Sequence, residues 1–524
     1  MSTTASAPAR PVRPALVLAI CCLSLLIVGL DNTIVTIALP RMRADLHAPL
    51  SLSQWTVDSY QLVLGALLLT AGSLADRWGR RRILQSGLAI FTLASLLCSM
   101  VPNAQCLVAS RVLQAIGGSM MNPVAMAIVS QVFPDPDRRA RAFGIWSGVY
   151  GLSMALGPIL GGILVGTIGW RSIFWINVPI GLLAIGLAAR YVPESRGDRP
   201  RRADLVGQLL VVTVLTTLTY AIINGRTQGW ASPSILGLIV LALVCGAGLI
   251  VWESHHPEPL IDPRFFGSLP FAGAVAMALV GMAAAGGYLW VMTFYLQDAR
   301  GLSATIAGLL MLPLALTVLL VAPLSGRLAA RYGARMPLAI SGAALMVAAL
   351  LLTVLSADTP AWLLLASFLC FGLGFGMLNA PITATAVSGM PLSQAGVASA
   401  VASTGRQVGQ ALGVAIVGAV VVAHLSTDPR ASLPAASRPG WWIIAAGGAM
   451  GVLIAFLATG KVAHRTADRT AARLLSSHQA TPLAPGMAAP PEQVIAPSRL
   501  PAAGTADALG GPVRPDGNGQ AAGV

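Results

Sequence analysis

Four ionisable residues stand inside long apolar stretches of this chain: Asp31, Asp58, Arg111 and Arg406. Burying such groups among apolar neighbours is costly, so they are the first candidates for function. Asp31 lies about eight residues, or ~12 Å of helix, from the end of its stretch near Leu39. Asp58 and Arg111 lie roughly 6–9 Å inside the stretches that begin near Gln54 and Gln105. The three therefore fall at similar depth, and the expectation is one polar network beside a water-filled cavity. A carboxylate so placed can change protonation state when water access or a cationic ligand changes, which is what proton-coupled exchange needs. A static ion pair that fixes helix packing is the plainer reading. Arg406 lies ~18 Å from the start of its stretch, at mid-depth, beside Gly405, Gly409 and Gly413. Four-residue glycine spacing lets a second helix approach closely. Arg406, with Gln114, is a candidate for contact with a substrate or anion in a cavity; pairing with backbone carbonyls is the alternative.

The elements that must position these groups are membrane helices. The chain has 524 residues, 56% of them hydrophobic and 10% charged, with a mean hydropathy of +0.76. Apolar runs of ~20 residues recur almost without a break, which marks a polytopic membrane protein. Fourteen spans are predicted, at roughly 15–39, 54–75, 83–101, 105–132, 140–166, 170–192, 204–224, 234–253, 269–297, 303–325, 335–356, 360–385, 394–423 and 440–460. Backbone polar groups must be satisfied within lipid, so each span is helical and the fold class is all-α. The first apolar stretch is too long for the core of a cleaved signal and lacks a small-residue cleavage site. With the N-terminus taken as cytoplasmic, 24 of the 33 Lys and Arg residues fall on the cytoplasmic side and 7 on the other. This asymmetry places both termini in the cytoplasm. The same distribution explains the net charge of +14 without nucleic acid. The six cysteines read as packing residues, and the six histidines show no metal-ligand spacing.

A repeat organises the spans. Gly72–Arg82, GSLADRWGRRR, returns as Gly326–Arg335, GRLAARYGAR. Gly72, Leu74, Ala75, Arg77, Gly79 and Arg81 return as Gly326, Leu328, Ala329, Arg331, Gly333 and Arg335, whereas Asp76 becomes Ala330. Each copy joins the second and third helix of a six-helix unit, so the chain is two related halves. The expected organisation is a cytoplasmic N-tail (1–14), an N-terminal six-helix bundle (15–192), a polar linker (193–203), two additional transmembrane helices (204–253), a cytoplasmic loop (254–268), a C-terminal six-helix bundle (269–460) and a cytoplasmic tail (461–524). In that tail, 461–478 reads as an amphipathic surface helix and 480–524 as disordered. Asp76 can pair with a helix N-terminus or with an arginine across the two halves; Arg77, Arg80, Arg81 and Arg82 also fix topology. The fifth span carries Gly144, Gly148, Gly151, Gly157, Pro158, Gly161 and Gly162, a hinge or seal rather than a plain packing face.

These motifs resemble those of the fourteen-span drug:proton antiporter group of the major facilitator superfamily. Leu30–Pro40, LDNTIVTIALP, resembles the group's first-span motif, with Thr36 where Asn is usual. GSLADRWGRR resembles the superfamily's loop motif in full. Leu107, Arg111, Gln114 and Gly117 resemble the fourth-span motif, with Ala115 in place of glycine, and Gly144–Gly162 the antiporter motif, with Ser153 at one glycine position. Gly169–Gly181 and Phe294–Pro313 also look like segments of fourteen-span members. The resemblance covers about residues 15–460. It implies proton coupling at Asp31 and Asp58 with Arg111, conformational locking by Gly72, Asp76, Arg77, Gly79 and Arg80, and sealing by Gly144, Gly157, Pro158, Gly161 and Gly162.

The expected function is proton-coupled efflux of lipophilic drugs or antibiotics, cationic ones included, across the plasma membrane by alternating access. The alternative is a dedicated exporter of one endogenous metabolite, siderophore or lipid. The expected partners are a small-molecule substrate, protons and the lipid bilayer, with no obligatory protein partner. No cofactor is expected: the chain has no phosphate-binding loop, so the proton gradient rather than ATP is the energy source. A membrane enzyme would need a buried nucleophile with its base, or a metal cluster, and the sequence offers neither.

Overall fold

The structure is a computed structural model that describes residues 13–196, 204–256, 259–391, 394–426 and 428–479. Residues 1–12 of the expected N-tail, most of the polar linker and the segment 480–524 lie outside the described residues.

The described residues form eighteen α-helices: α1 (Pro14–Asp45), α2 (Leu50–Trp78), α3 (Arg80–Met100), α4 (Ala104–Val132), α5 (Pro136–Thr167), α6 (Ser172–Trp175), α7 (Asn177–Tyr191), α8 (Leu205–Gln228), α9 (Pro233–His255), α10 (Leu269–Phe294), α11 (Ala304–Leu310), α12 (Leu312–Tyr332), α13 (Arg335–Leu351), α14 (Ala361–Gly376), α15 (Asn379–Val387), α16 (Ala395–His424), α17 (Pro429–Ala458) and α18 (Lys461–Gln479). A π-turn at Tyr295–Ala299 continues α10, and a 3-10 turn at Pro263–Gly267 precedes it. Thirteen helical stretches are long and apolar enough to cross a membrane, and α13 supplies a shorter fourteenth. Its 17 residues, at 1.5 Å each, reach ~26 Å, close to the hydrocarbon thickness.

Several helices overrun the predicted spans. α1 reaches Asp45, and α17 starts eleven residues before the predicted 440. Hydropathy detects only the lipid-matched part of a helix, whereas backbone hydrogen bonding carries on until a cap or turn stops it. Asn103, Asp135, Asp204, Ser232 and Ser303 provide such caps, each accepting a backbone N–H of the first turn. Three predicted spans are broken: at Ile176, at Met311 and at Met377–Leu378. Pro179, Pro313 and Pro381 lie in the first turn of each following piece, where a missing N–H costs no helical bond.

α1 packs on α5, α2 and α3 on α4, and α3 on α7; α10 packs on α16 and α17, and α13 on α14 and α17. The two groups meet where α2 lies against α16 and where α5 lies against α11 and α12. α8 covers the seam between α2 and α16, and α9 packs on α8. Leu243, Val244, Ile250 and Val251 of α9 are exposed, as lipid-facing side chains should be. α18 buries Ala463, Ala467, Ala471 and Leu474 at helical spacing. Its Thr466 accepts the Leu269 N–H at the start of α10 (3.0 Å). The expected surface helix is thus docked on protein. The two copies of the basic loop and α18 share one end of the bundle, called the loop end below; the opposite end is the far end.

Candidate functional site

Asp31 and Arg111 form a fully buried ion pair, with Arg111 Nη1 at 2.5 Å from Asp31 Oδ2. α1 and α4 bring them together. Gln114, one turn beyond Arg111, completes the pair. Its amide donates to Asp31 Oδ1 (2.9 Å) and Ser95 (2.8 Å), and its carbonyl accepts from Arg111 (2.7 Å). Asn177 of α7 donates to the same Asp31 oxygen (3.4 Å) and to Ser95 (3.3 Å). Arg111 Nε donates to the Thr56 carbonyl (3.3 Å), and the guanidinium stacks 4.1 Å over the Tyr60 ring. A buried pair offsets its desolvation only when such further hydrogen bonds exist, and here α2, α4 and α7 supply them. Gln114 is therefore a member of this network and lines none of the cavities described below, unlike the sequence expectation. Ser95, Asn177, Thr56 and Tyr60 are the members that sequence reading missed; polar residues within apolar spans were the available signal.

Asp58 does not join the network. It is fully buried, and neither of its carboxylate oxygens has a hydrogen-bond partner among the described residues. The reason lies in helix geometry. Thr56 and Tyr60 face Arg111, and residues two apart on a helix point to nearly opposite sides. Gln54 and Gly65, at i−4 and i+7 from Asp58, mark its own side. Gln54 donates to the Val414 carbonyl of α16 (3.1 Å), and Gly65 abuts Gln407. Asp58 thus sits on the face of α2 that closes against α16.

The two groups of helices enclose two small cavities, of about 20 and 30 Å³. They share Thr33, Met154, Leu289 and Phe375 as common walls. Arg406 lines the larger with Asn32, Tyr150 and Gln407. It donates to the hydroxyls of Ser403 (2.5 Å) and Thr383 (3.3 Å) and makes no ion pair among the described residues. No aspartate or glutamate lines either cavity among those residues.

The α5 glycines divide at mid-helix. Gly157 and Gly161 hold α1 so closely that a Cβ there would strike Thr33, Ile34 and Ile37. Gly162 lies against the Ala304 carbonyl of α11, and Gly308 of α11 lies against Pro158. Gly144 and Gly148 have nothing within 4 Å of where a Cβ would stand. The run is therefore tight at the far end and open at the loop end, and Gly144 stands apart from Gly157, Pro158, Gly161 and Gly162. The hydrogen bonds that join the two groups follow the same gradient. Towards the far end are Arg43–Asp298 (3.0 Å), Gln297 to the Ile37 carbonyl (2.8 Å) and Thr305 to the Gly162 carbonyl (2.9 Å). Thr404 to the Gly65 carbonyl (3.0 Å) lies near mid-depth.

In the basic loop, Asp76 pairs with Arg80 (2.9 Å), four residues on, rather than with an arginine of the other half. Gly79 adopts a φ of 111°, which glycine alone adopts without strain. Gly72 has open space beside it, and Arg77 is exposed. Glu194, after α7, folds back to accept the Arg81 N–H (3.1 Å) and lies 3.8 and 3.6 Å from the Arg81 and Arg82 side chains. Nothing in the loop motif itself foretold that partner.

The family model described as Major Facilitator Superfamily matches residues 21–414. The chain is 36% identical to the "Multidrug resistance protein Stp" of Mycobacterium tuberculosis, over 77% of this chain and 75% of that protein. It is also 36% identical to the "Tetracenomycin C resistance and export protein" of Streptomyces glaucescens, over 76% and 74%. It is 31% identical to the "Multidrug efflux pump LfrA" of Mycolicibacterium smegmatis, over 83% and 86%.

Proposed function

The chain belongs to the major facilitator superfamily, and from that we propose that it exports lipophilic drugs or antibiotics from the cytoplasm in exchange for protons. The relatives named for multidrug resistance and efflux support the cargo class. The excess of Lys and Arg at the loop end supports a cytoplasmic loop end with both termini there, in the plasma membrane. The far end is then the outer side, and the two groups of helices are sealed there around an occluded centre. A drug-sized ligand needs a pocket of roughly 300–1,000 Å³, so the small cavities must widen as the halves rock apart.

One observation carries the coupling: Asp58, buried without a hydrogen-bond partner among the described residues, lies in the seam between α2 and α16 that alternating access must open. Parting of that seam towards the outside admits water and a proton to Asp58, and closure removes both. Asp31 and Arg111 fix α4 against α1 and α2, and Asp31 exchanges its proton only when that network loosens. The loop pair Asp76–Arg80 and the packing at Gly157, Pro158 and Gly161 hold the closed arrangement. Arg406 is a cation in a cavity lined by no carboxylate among the described residues, and this favours neutral or acidic lipophilic cargo there over cationic cargo. The single compound in the name of the Streptomyces relative favours a second reading, a dedicated exporter of one metabolite, siderophore or lipid. No protein partner is needed for either.

The test is substrate-triggered proton flux in proteoliposomes under an imposed pH gradient, with a panel of cationic, neutral and acidic compounds. Flux in the wild type that is lost in Asp58→Asn supports antiport with coupling in the seam. Flux lost only in Asp31→Asn moves coupling to the buried pair. Flux with a single panel member favours the dedicated exporter, and flux with none overturns the broad reading.

A further inference from the structure

The repeated loop holds a carboxylate in one half and borders a pocket in the other. In the first copy the Glu194 carboxylate occupies the crook of the loop: its Oε1 lies 2.6 Å from where a Cβ on Gly79 would stand. There it accepts the Arg81 N–H at the start of α3 and faces the Arg81 and Arg82 side chains. In the second copy Gly333 and Arg335 take the places of Gly79 and Arg81. Both line a pocket of about 410 Å³ at the loop end, between the ends of α12, α15 and α17 and the start of α18. Thr385, Ser388, Thr459 and His464 complete its polar wall, and no aspartate or glutamate lines it among the described residues. α13 starts at Arg335 with no side-chain cap. Two polar atoms there are buried without a hydrogen-bond partner among the described residues: Arg335 Nε, whose guanidinium stacks 4.5 Å over the Phe456 ring, and the hydroxyl of Thr385, a residue only 3% exposed.

We infer that this pocket binds a phosphate-bearing anion, and specifically the headgroup of an acidic phospholipid. The site has a guanidinium, uncapped N–H groups at a helix start, a hydroxyl donor and an adjacent imidazole, the donor set that holds phosphate. Its position at the end of the membrane helices puts it at headgroup depth, where basic pockets between helices take such lipids. The chain after α7 brings a carboxylate back to its loop, whereas after α17 the described residues continue into α18 and bring none into the pocket. The lipid therefore does for the second half what Glu194 does for the first, tying α13 to α15 and α17. This site stands independently of what the protein exports.

Full-length protein in phosphatidylcholine nanodiscs, with and without phosphatidylglycerol, provides the test, with retained lipid counted by native mass spectrometry. The wild type should retain phosphatidylglycerol, and Arg335→Gln should lower that retention about fivefold, the share expected of one basic group at the headgroup surface. Arg335→Lys should keep most of it. Arg331→Gln, which alters an exposed arginine of the same loop outside the pocket, should leave it unchanged. Ala384→Glu places a carboxylate in the pocket wall and should displace the lipid while raising the thermal midpoint. Inorganic phosphate is the second arm. If it stabilises the wild type in phosphatidylcholine but not Arg335→Gln, the anion is the free ion rather than the lipid. Retention equal in the wild type, Arg335→Gln and Ala384→Glu, without phosphate protection, overturns the site.

Discussion

Two buried aspartates from neighbouring helices have opposite surroundings, and they should fail differently when changed. Arg111→Gln leaves Asp31 buried without its cation, which should cost about 3–5 kcal/mol of stability. The double variant Asp31→Asn, Arg111→Gln should recover a large part of that loss in thermal unfolding of the purified protein. If the double variant is as unstable as the sum of the two singles, the pair is not coupled in this way. Asp58→Asn removes no hydrogen bond, so its midpoint should match or exceed that of the wild type while proton flux is lost. A large drop in stability would mean that Asp58 has a partner in the folded protein. At Arg406, the Gln variant should export acidic compounds less well and neutral ones unchanged, measured as accumulation in energised cells. Equal effects on both would remove its role in choosing cargo.

At the scale of one helix, α5 sets up a contrast between glycines of one sequence type. Gly161→Leu forces a side chain onto Ile34 and Ile37 and should cost about 1–3 kcal/mol and abolish export. Gly144→Ala meets nothing within 4 Å, so it should leave export intact and raise helix stability by about 0.5–1 kcal/mol. Thermal unfolding and a transport assay on the same preparations check both. A damaging Gly144→Ala would show that the loop end closes on that residue during the cycle. The glycine run itself was visible in the sequence, but the division of labour within it was not. Spacing reports which residues share a helix face; it does not report how far along its length that face has a neighbour.

The whole molecule is held shut at the far end by a few polar contacts between groups of helices that are distant in sequence. Arg43–Asp298 is one, partly exposed and worth no more than about 1 kcal/mol. Asp298→Arg should therefore shift the population towards the far-end-open form by a few fold rather than trap it. The charge swap Arg43→Asp, Asp298→Arg should restore the wild-type distribution of distances between spin labels across the far end. No change in the single variant would place the closure in the glycine contacts instead.

Much was settled by sequence alone, because the bilayer makes rules that act locally. A helix in lipid must satisfy its own backbone, so hydropathy gives the crossings, and a repeated loop gives the two-part plan. Rare charges in apolar stretches gave Asp31, Asp58, Arg111 and Arg406, since each is costly wherever it points. Pairing was beyond that logic. That Arg111 takes Asp31 and not Asp58 depends on the rotation of α2, which places residues 56 and 58 on opposite faces. That Gln114 serves the ion pair and Arg406 the cavity depends on which helices stand beside α4 and α16. The place of Glu194 and the pocket beside Arg335 depend on where the chain turns after α7 and α17. Sequence fixes what a residue costs to bury; only the packing of helices far apart in the chain decides what it is buried against.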